Sequence, residues 1–326
     1  MALRGNWEHE TWILKDRGVR LEVAARGAVV LSWRVPSQDG TCELIDGYLD
    51  DADLAEGHGA RSALLAPWSN RIEGGRYEFD GRTYQLPTGA DGHALHGLVT
   101  GVDFELAESG PDFLTFATRI EPSEGYPFTV GVRATYRLEY TGDEHPCLCL
   151  ELEATNEGES DAPIGLGWHP YFKLAPVDQM SMSILARSGV EVDDGLIPLP
   201  GAQAFATASR FPLCLHTLED VELDDAVTEL EVTPAGVNGV VRVLGGPQLV
   251  VETDLPVQKL GQGILHFYTG DTLNSRQRDS IAVEPCQFMT NAFNRPEVAD
   301  ALRVAPGQST KLRARFIFQD PPRLGI

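Results

Sequence analysis

The sequence predicts an all-β protein with few, short helices, folded as one extended sandwich of two large sheets. Runs rich in β-branched and aromatic residues recur at short spacing, and the 33 glycines and 21 prolines fall mostly between them. Helical periodicity is rare. Both features are typical of a β-sandwich or barrel. The 326 residues, of which 42% are hydrophobic, suffice for a large core, and we expect residues 1–326 to form a single domain.

The strands are predicted from local patterns in chain order. Residues 19–35 hold two β-rich runs separated by a short break. Asp80-Gly81 stands between two runs with aromatic residues, a pattern that predicts a β-hairpin. Further strands are predicted at 113–119, 129–140, 147–154, 240–244, 248–253, 263–268 and 311–318. Only residues 52–56 and 295–302 have helical character, and each allows one or two turns.

Composition limits the partners. The net charge of -22 comes from 48 acidic and 26 basic residues, so the surface repels nucleic acid and anionic membranes. No apolar run reaches the ~20 residues of a membrane helix. The N-terminal residues lack the apolar segment of a secretory signal. The five cysteines match no zinc pattern, and Cys147 and Cys149 fit one face of a strand as buried thiols. We expect a cytoplasmic protein.

A histidine and a glutamate, each followed by proline, are the first candidates for chemistry. His169 stands before Pro170, so its backbone is expected to be extended at a strand end. Glu284 continues an apolar run and precedes Pro285, and desolvation there would raise its pKa toward the range of a general base. The alternatives are a core histidine with satisfied nitrogens and an exposed strand terminus. Neutral polar side chains lie near Glu284, as in a sugar site: Gln287, Asn291 and Asn294.

Other polar residues fit a ligand site less specifically. Asn70 and Arg71 are adjacent, and in a loop both side chains can reach one ligand, although an arginine often forms only a surface ion pair. His93 and His96 are three apart, but the glycines around them argue against a helical metal site. Hydrogen bonding to a polar ligand is the better function for one of them.

Paired acids complete the set of candidates. Asp224 and Asp225 lie in a predicted turn, where acids are usually solvated. The sequence shows no activated nucleophile, phosphate-binding glycine loop or dinucleotide fingerprint. The residue types together indicate acid–base chemistry on a neutral polyol, without a metal or another cofactor.

Motifs spread along nearly the whole chain resemble the aldose 1-epimerase (mutarotase) family. They occur in the family's order: Asn70-Arg71-Ile72 with Gly74, Arg76 and Tyr77, then His93 to Leu98, Tyr126-Pro127-Phe128, Gly167 to Phe172, Leu223-Asp224, Tyr268-Thr269-Gly270, and Val283-Glu284-Pro285 with Asn294. The resemblance implies the galactose mutarotase-like fold, a large antiparallel β-supersandwich. It also implies interconversion of the α and β anomers of a free hexose.

Site roles follow from the same resemblance. Glu284 matches the family's general base, and His169 matches its general acid. Arg71 and His96 stand where the family binds sugar hydroxyls, and Asp224 stands where it has a substrate-binding aspartate. Asn70, beside Arg71, is expected to contact the sugar as well. The expected partner is a monosaccharide.

Three other functions remain open at this stage. The first is a hexose-6-phosphate 1-epimerase, which requires basic residues around the phosphate. The second is a non-catalytic sugar-binding or regulatory protein on the same fold. The third is a lyase or glycoside-processing enzyme, which requires an extended cleft.

Overall fold

A computed structural model describes residues 3–4, 7–142, 144–207, 214–215, 217–243 and 246–320. The strands are β1 Leu3–Arg4, β2 Thr11–Asp16, β3 Val19–Ala24, β4 Val30–Ser37, β5 Gly40–Glu43, β6 Ala63–Leu65, β7 Arg71–Ile72, β8 Arg76–Phe79, β9 Arg82–Gln85, β10 Ala94–Leu95, β11 Glu105–Ser109, β12 Phe113–Ile120, β13 Val130–Thr141, β14 His145–Asn156, β15 Ala162–Pro163, β16 Gly167–His169, β17 Tyr171–Phe172, β18 Met180–Ile184, β19 Ala186–Val190, β20 Phe205–Thr207, β21 Cys214–Leu215, β22 Asp224–Leu230, β23 Val237–Val243, β24 Gln248–Thr253, β25 Gln262–Tyr268, β26 Ile281–Phe288, β27 Arg303–Val304 and β28 Ser309–Gln319. The helices are α1 Asp51–Glu56 and the 3₁₀ turns His58–Ala60, Glu73–Gly75, Val177–Gln179, Gly201–Ala204 and Ala292–Asn294.

Two large antiparallel sheets dominate the described chain. One has nine strands in the order β11-β12-β13-β14-β28-β24-β23-β18-β21. The other has eight, in the order β20-β19-β22-β25-β26-β16-β6 with β17 also paired to β26. Strands β1 to β5 form a separate five-stranded meander. The all-β prediction is therefore confirmed, whereas the single domain spanning 1–326 stays a prediction.

The longest predicted hairpin shows why these segments form strands. In β13, buried and more exposed residues alternate from Val130 to Leu138, as the period of two requires for a sheet with one face in the core. Its partner β14 pairs with it from Asn156 back to His145. Cys147 and Cys149 are both free, buried thiols on β14, as expected. The side chain of Cys214 lies outside the described residues.

Most other local predictions agree with the structure. Asp80 and Gly81 have φ angles of 50° and 70°, which is the geometry of the tight turn predicted between β8 and β9. The strand predicted at 240–244 is β23, and Leu244 lies outside the described residues. Residues 295–302, where the sequence allows one or two helical turns, form successive turns after the 3₁₀ turn Ala292–Asn294.

Aromatic packing joins the two large sheets. The ring of Phe316 on β28 lies 5.5 Å from the ring of Trp168 on β16 and 4.4 Å from that of Phe172 on β17, measured between centroids. All three side chains are fully buried. This packing holds β16 and β17 against the core on both sides of His169-Pro170. In the described ranges, every helix is too short or too polar to cross a membrane.

Phe316→Ala tests this packing. Removing a fully buried ring leaves a cavity, so the free energy of unfolding should fall by about 3–5 kcal/mol. Denaturant unfolding followed by circular dichroism measures the change. Leu49, a residue that is 71% exposed, provides the control, and Leu49→Ala should change stability by less than about 0.5 kcal/mol. Equal losses in both variants would contradict the packing described here.

Candidate active site

A cavity of about 620 Å³ adjoins the eight-stranded sheet and collects all six predicted site residues. These are Asn70, Arg71, His96, His169, Asp224 and Glu284. They come from five separate parts of the chain, so only the tertiary fold brings them together. The volume lies within the range usual for small-molecule sites.

Glu284 and His169 contact each other inside this cavity. His169 Nε2 lies 3.3 Å from Glu284 Oε1, and the two residues are only 6% and 2% exposed. His169 ends β16, as expected. The expectation of a strand end is wrong for Glu284, because β26 continues through Pro285 to Phe288. Glu284 therefore projects from the middle of a central strand and is not an exposed strand terminus. His169 is not a core histidine with both ring nitrogens satisfied, because its Nδ1 has no hydrogen-bond partner among the described residues.

Burial moves the proton affinities of the pair in opposite directions. Desolvation raises the pKa of Glu284 to about 7, although the charges of His266 and Arg71 oppose the rise. Desolvation also lowers the pKa of His169 well below its ordinary value, and His96 and His266 add to this effect. Burial therefore shifts Glu284 toward its neutral carboxyl and His169 toward its neutral imidazole.

Aromatic rings fix the orientation of His169. Its ring stacks on Tyr171 with centroids 5.0 Å apart, and His96 meets it edge-on at 5.3 Å. The guanidinium of Arg61 covers the Tyr171 ring at 4.9 Å. Arg61 is itself held by the buried Asp46 carboxylate. His169 Nδ1 is buried and has no hydrogen-bond partner among the described residues.

Arg71 reaches the cavity from β7. Its Nε donates to Asp91 at 3.2 Å and its Nη1 donates to the Asn70 side-chain oxygen at 3.2 Å. Asn70 has a left-handed φ of 55°, a conformation that asparagine tolerates better than most residues. These contacts hold the guanidinium at the wall of the cavity.

His96 has a strained backbone beside the catalytic candidates. Its φ is 59°, and such left-handed residues cost about 1–3 kcal/mol and cluster at functional sites. The next residue, Gly97, packs so closely on the Ala66 carbonyl that a Cβ would lie 2.2 Å from the oxygen. Burial, with Arg71 and His266 nearby, lowers the pKa of His96 to about 3. His96 therefore lines the cavity as a neutral imidazole.

His266 is the residue that sequence reasoning missed. It lies on β25, opposite Glu284, and its Nε2 lies 2.8 Å from Asp224 Oδ1. Asp224 lines the cavity at the start of β22, with a side chain 41% exposed. Burial alone would raise the pKa of Asp224, but the contact with His266 outweighs it and the pKa is lowered. The sequence contained one signal for this residue, because His266 is a histidine within the otherwise apolar strand predicted at 263–268.

Several other polar candidates lie outside the cavity. His93 accepts a hydrogen bond from the Gly74 amide, and Asn291 Oδ1 accepts one from the Glu73 amide. Gln287 bonds to the backbone of Leu166 and Lys311, and Asn294 donates to the Arg76 carbonyl. The neutral amides near Glu284 thus stabilise loops and strands. Within the ranges that the structure describes, no group of three or more His, Cys, Asp or Glu side chains is placed to hold a metal ion.

Most of the chain matches one known protein family. The profile described as Aldose 1-epimerase matches residues 10–316. The chain belongs to the aldose 1-epimerase family. An antiparallel β fold and a cavity with the Glu284–His169 contact are thus found in a member of that family.

Individual relatives are distant. The uncharacterized protein YihR of Escherichia coli K12 is 30% identical over 241 residues, covering 71% of each chain. An aldose 1-epimerase of the same organism is 29% identical over 198 residues, covering 56% of this chain and 54% of that protein. A GalM/aldose epimerase homologue from C. elegans superposes with a TM-score of 0.83 at 18% identity, covering 95% of this chain and 98% of that one. The last comparison shows a galactose mutarotase-like fold.

Glu284→Gln tests the burial of this carboxyl through stability. Because the folded-state pKa is about 7, above the ordinary 4.5, the native state holds its proton more tightly. The wild type should therefore lose stability as pH rises, whereas the glutamine variant lacks this loss. Between pH 5.5 and 8.5 the difference should grow by about 2 kcal/mol in favour of the variant.

Chemical denaturation at the two pH values measures this difference. Glu105→Gln on the exposed face of β11 is the matched control, and it should show no comparable trend. A difference for Glu284→Gln that does not depend on pH would show that the carboxyl is well solvated.

Proposed function

We propose that this protein is an aldose 1-epimerase that interconverts the α and β anomers of a free hexose. The contact between Glu284 and His169 on the wall of the cavity is the observation that supports this most strongly. It pairs a carboxyl with an imidazole where a single pyranose can meet both groups. Arg71, Asn70 and His96 supply donors and acceptors for hydroxyls around them.

The reaction requires one base and one acid. Glu284 takes the proton of the anomeric hydroxyl while His169 donates a proton to the ring oxygen, and the C1–O5 bond opens to the aldehyde. Rotation about C1–C2 presents the other carbonyl face, and the ring closes with the two roles reversed. Both groups transfer only protons, so the proposed steps use side chains of this chain alone.

The proton distribution of the pair limits this reaction. Desolvation favours the proton on Glu284, whereas the proposed reactive form has Glu284 ionised and His169 protonated. Groups that stabilise the Glu284 carboxylate therefore increase the reactive fraction.

Polarimetry of freshly dissolved α-galactose or α-glucose tests the proposal. Glu284→Gln and His169→Asn should each lower kcat by about 10²–10⁴-fold, because each removes one proton-transfer group. Arg71→Ala should act mainly on KM, since Arg71 is proposed to bind hydroxyls without transferring a proton.

Glu105→Gln is the control for the glutamate variant and should keep the wild-type rate. Wild-type protein that does not accelerate anomer exchange, or variants as fast as wild type, would refute the assignment. Sugar binding seen by calorimetry without exchange would instead establish a non-catalytic sugar-binding protein.

A second candidate substrate is a hexose with an anionic group, such as a hexose 6-phosphate. Arg26, in the turn between β3 and β4, lines the same cavity. Among the described residues its side chain has no ion-pair partner, and its Nε is buried without an acceptor. An unpaired guanidinium is unusual in a chain with 48 acidic residues. Arg26 provides a local positive charge at the cavity that can attract an anionic group, whereas the net charge of the chain, -22, repels one.

Arg26→Gln separates the two substrates. If an anionic group contacts Arg26, kcat/KM for glucose 6-phosphate should fall about 10–100-fold, as expected for a lost hydrogen bond to a charged group. The value for glucose should stay within about twofold. Arg82→Gln on the exposed strand β9 is the control. Equal losses for both sugars, or a wild type that ignores the phosphorylated sugar, would limit the substrate to neutral hexoses.

A further inference from the structure

A carboxylate, an imidazole and a second carboxylate form a row across three neighbouring strands. The strand order β22-β25-β26 places Asp224, His266 and Glu284 side by side on the eight-stranded sheet. His266 is directly opposite Glu284 in the antiparallel register, so both side chains lie on one face. On its other side His266 is opposite Ala226, which makes Asp224 its diagonal neighbour on that face.

The contacts of His266 point to a role in the cavity. The 2.8 Å distance between His266 Nε2 and Asp224 Oδ1 ties the ring to the more exposed acid. The residue itself is 8% exposed. Two acids in one small cavity repel each other, and a cationic imidazole between them is the simplest compensation that the row contains.

Other groups bear on the charge of this ring. Burial alone disfavours a charged imidazole, but Glu284 and Asp224 outweigh it, and the pKa of His266 is raised. The remaining titratable or charged groups that act on the row are Asp225, His96, His169 and Arg71. His96 and His169 have lowered pKa values, so they compete little for a proton near neutral pH.

We propose that His266 is a positioning residue whose ring holds the Asp224 carboxylate toward the cavity and supplies the positive charge that faces Glu284. Its effect on catalysis rests on the proposed function. A cation opposite Glu284 stabilises the ionised carboxylate that the base must present. The same positive charge on His266 also opposes protonation of His169. Because His266 is the direct cross-strand neighbour of Glu284, we expect its effect on Glu284 to dominate.

His266→Gln separates charge from hydrogen bonding. The glutamine amide can donate to Asp224 from nearly the place of Nε2, but it carries no charge. Without the charge, the pKa of Glu284 rises further. Because Glu284 has the higher pKa of the pair, its titration sets the alkaline limb of kcat/KM, and that limb should move up by roughly 1–3 pH units. KM should change less than about threefold. His266→Ala also removes the hydrogen bond and should raise KM in addition.

His145→Gln, at the start of β14 on the other large sheet, is the matched control and should leave the pH profile unchanged. Thermal unfolding of each variant checks that it is folded. If His266→Gln lowers the melting temperature but leaves the pH profile in place, the residue is merely structural and the proposal is overturned.

A second measurement does not depend on activity. Histidine NMR titration, with the His266 signal assigned by its loss in His266→Gln, should show an imidazole protonated at pH 7, with a lower midpoint in Asp224→Asn. A neutral His266 at pH 7 overturns the proposal whatever the activity. If the wild type shows no anomer exchange while His266 is cationic, the proposed function fails and the charge arrangement stands.

Discussion

The burial of one carboxyl group determines the rest of the site. Glu284 sits in the middle of β26, a central strand of the eight-stranded sheet, with 2% of its surface exposed. An isolated carboxylate at such a place is strongly disfavoured, so it either takes up a proton or gains cationic neighbours. The structure contains both responses, since its pKa is raised while His266 and Arg71 act against the rise.

The inter-sheet core gives this chemistry its rigidity. Phe316 packs on Trp168 and Phe172, which flank the segment that carries His169. Beneath the imidazole, Tyr171 and Arg61 form a stack that Asp46 anchors through the guanidinium. Because the ring is held by its stacking partner and its strand, the 3.3 Å contact with Glu284 is set by the core and does not need a mobile loop.

Local patterns were sufficient to predict strands such as β13 and β14, but not β22, because the sequence indicates a turn at Asp224 and Asp225. The two proline-flanked residues are the pair that meets in the cavity. Predictions failed where the position of a side chain depends on how neighbouring strands are aligned. The sequence indicates a strand end at Glu284 because proline usually interrupts pairing, but β26 continues through Pro285. His266 was missed because only the alignment of β25 with β26 brings it opposite Glu284. Asn291 and Asn294 were misassigned because sequence proximity to Glu284 does not show which side chains turn toward backbone groups.

The opposed pKa shifts of Glu284 and His169 have a consequence for the proposed reaction. Anomer interconversion is symmetric, so each group must give a proton in one half and accept it in the other. If the proton rests mainly on Glu284, the half of the proposed reaction in which Glu284 acts as the base is slowed. In the complex that we propose, the anomeric hydroxyl of a hexose donates to Glu284 and thereby stabilises its ionised form, while the ring oxygen accepts from a protonated His169. In that proposed complex, substrate binding reduces the bias that burial creates, and the positive charge proposed for His266 reduces it further.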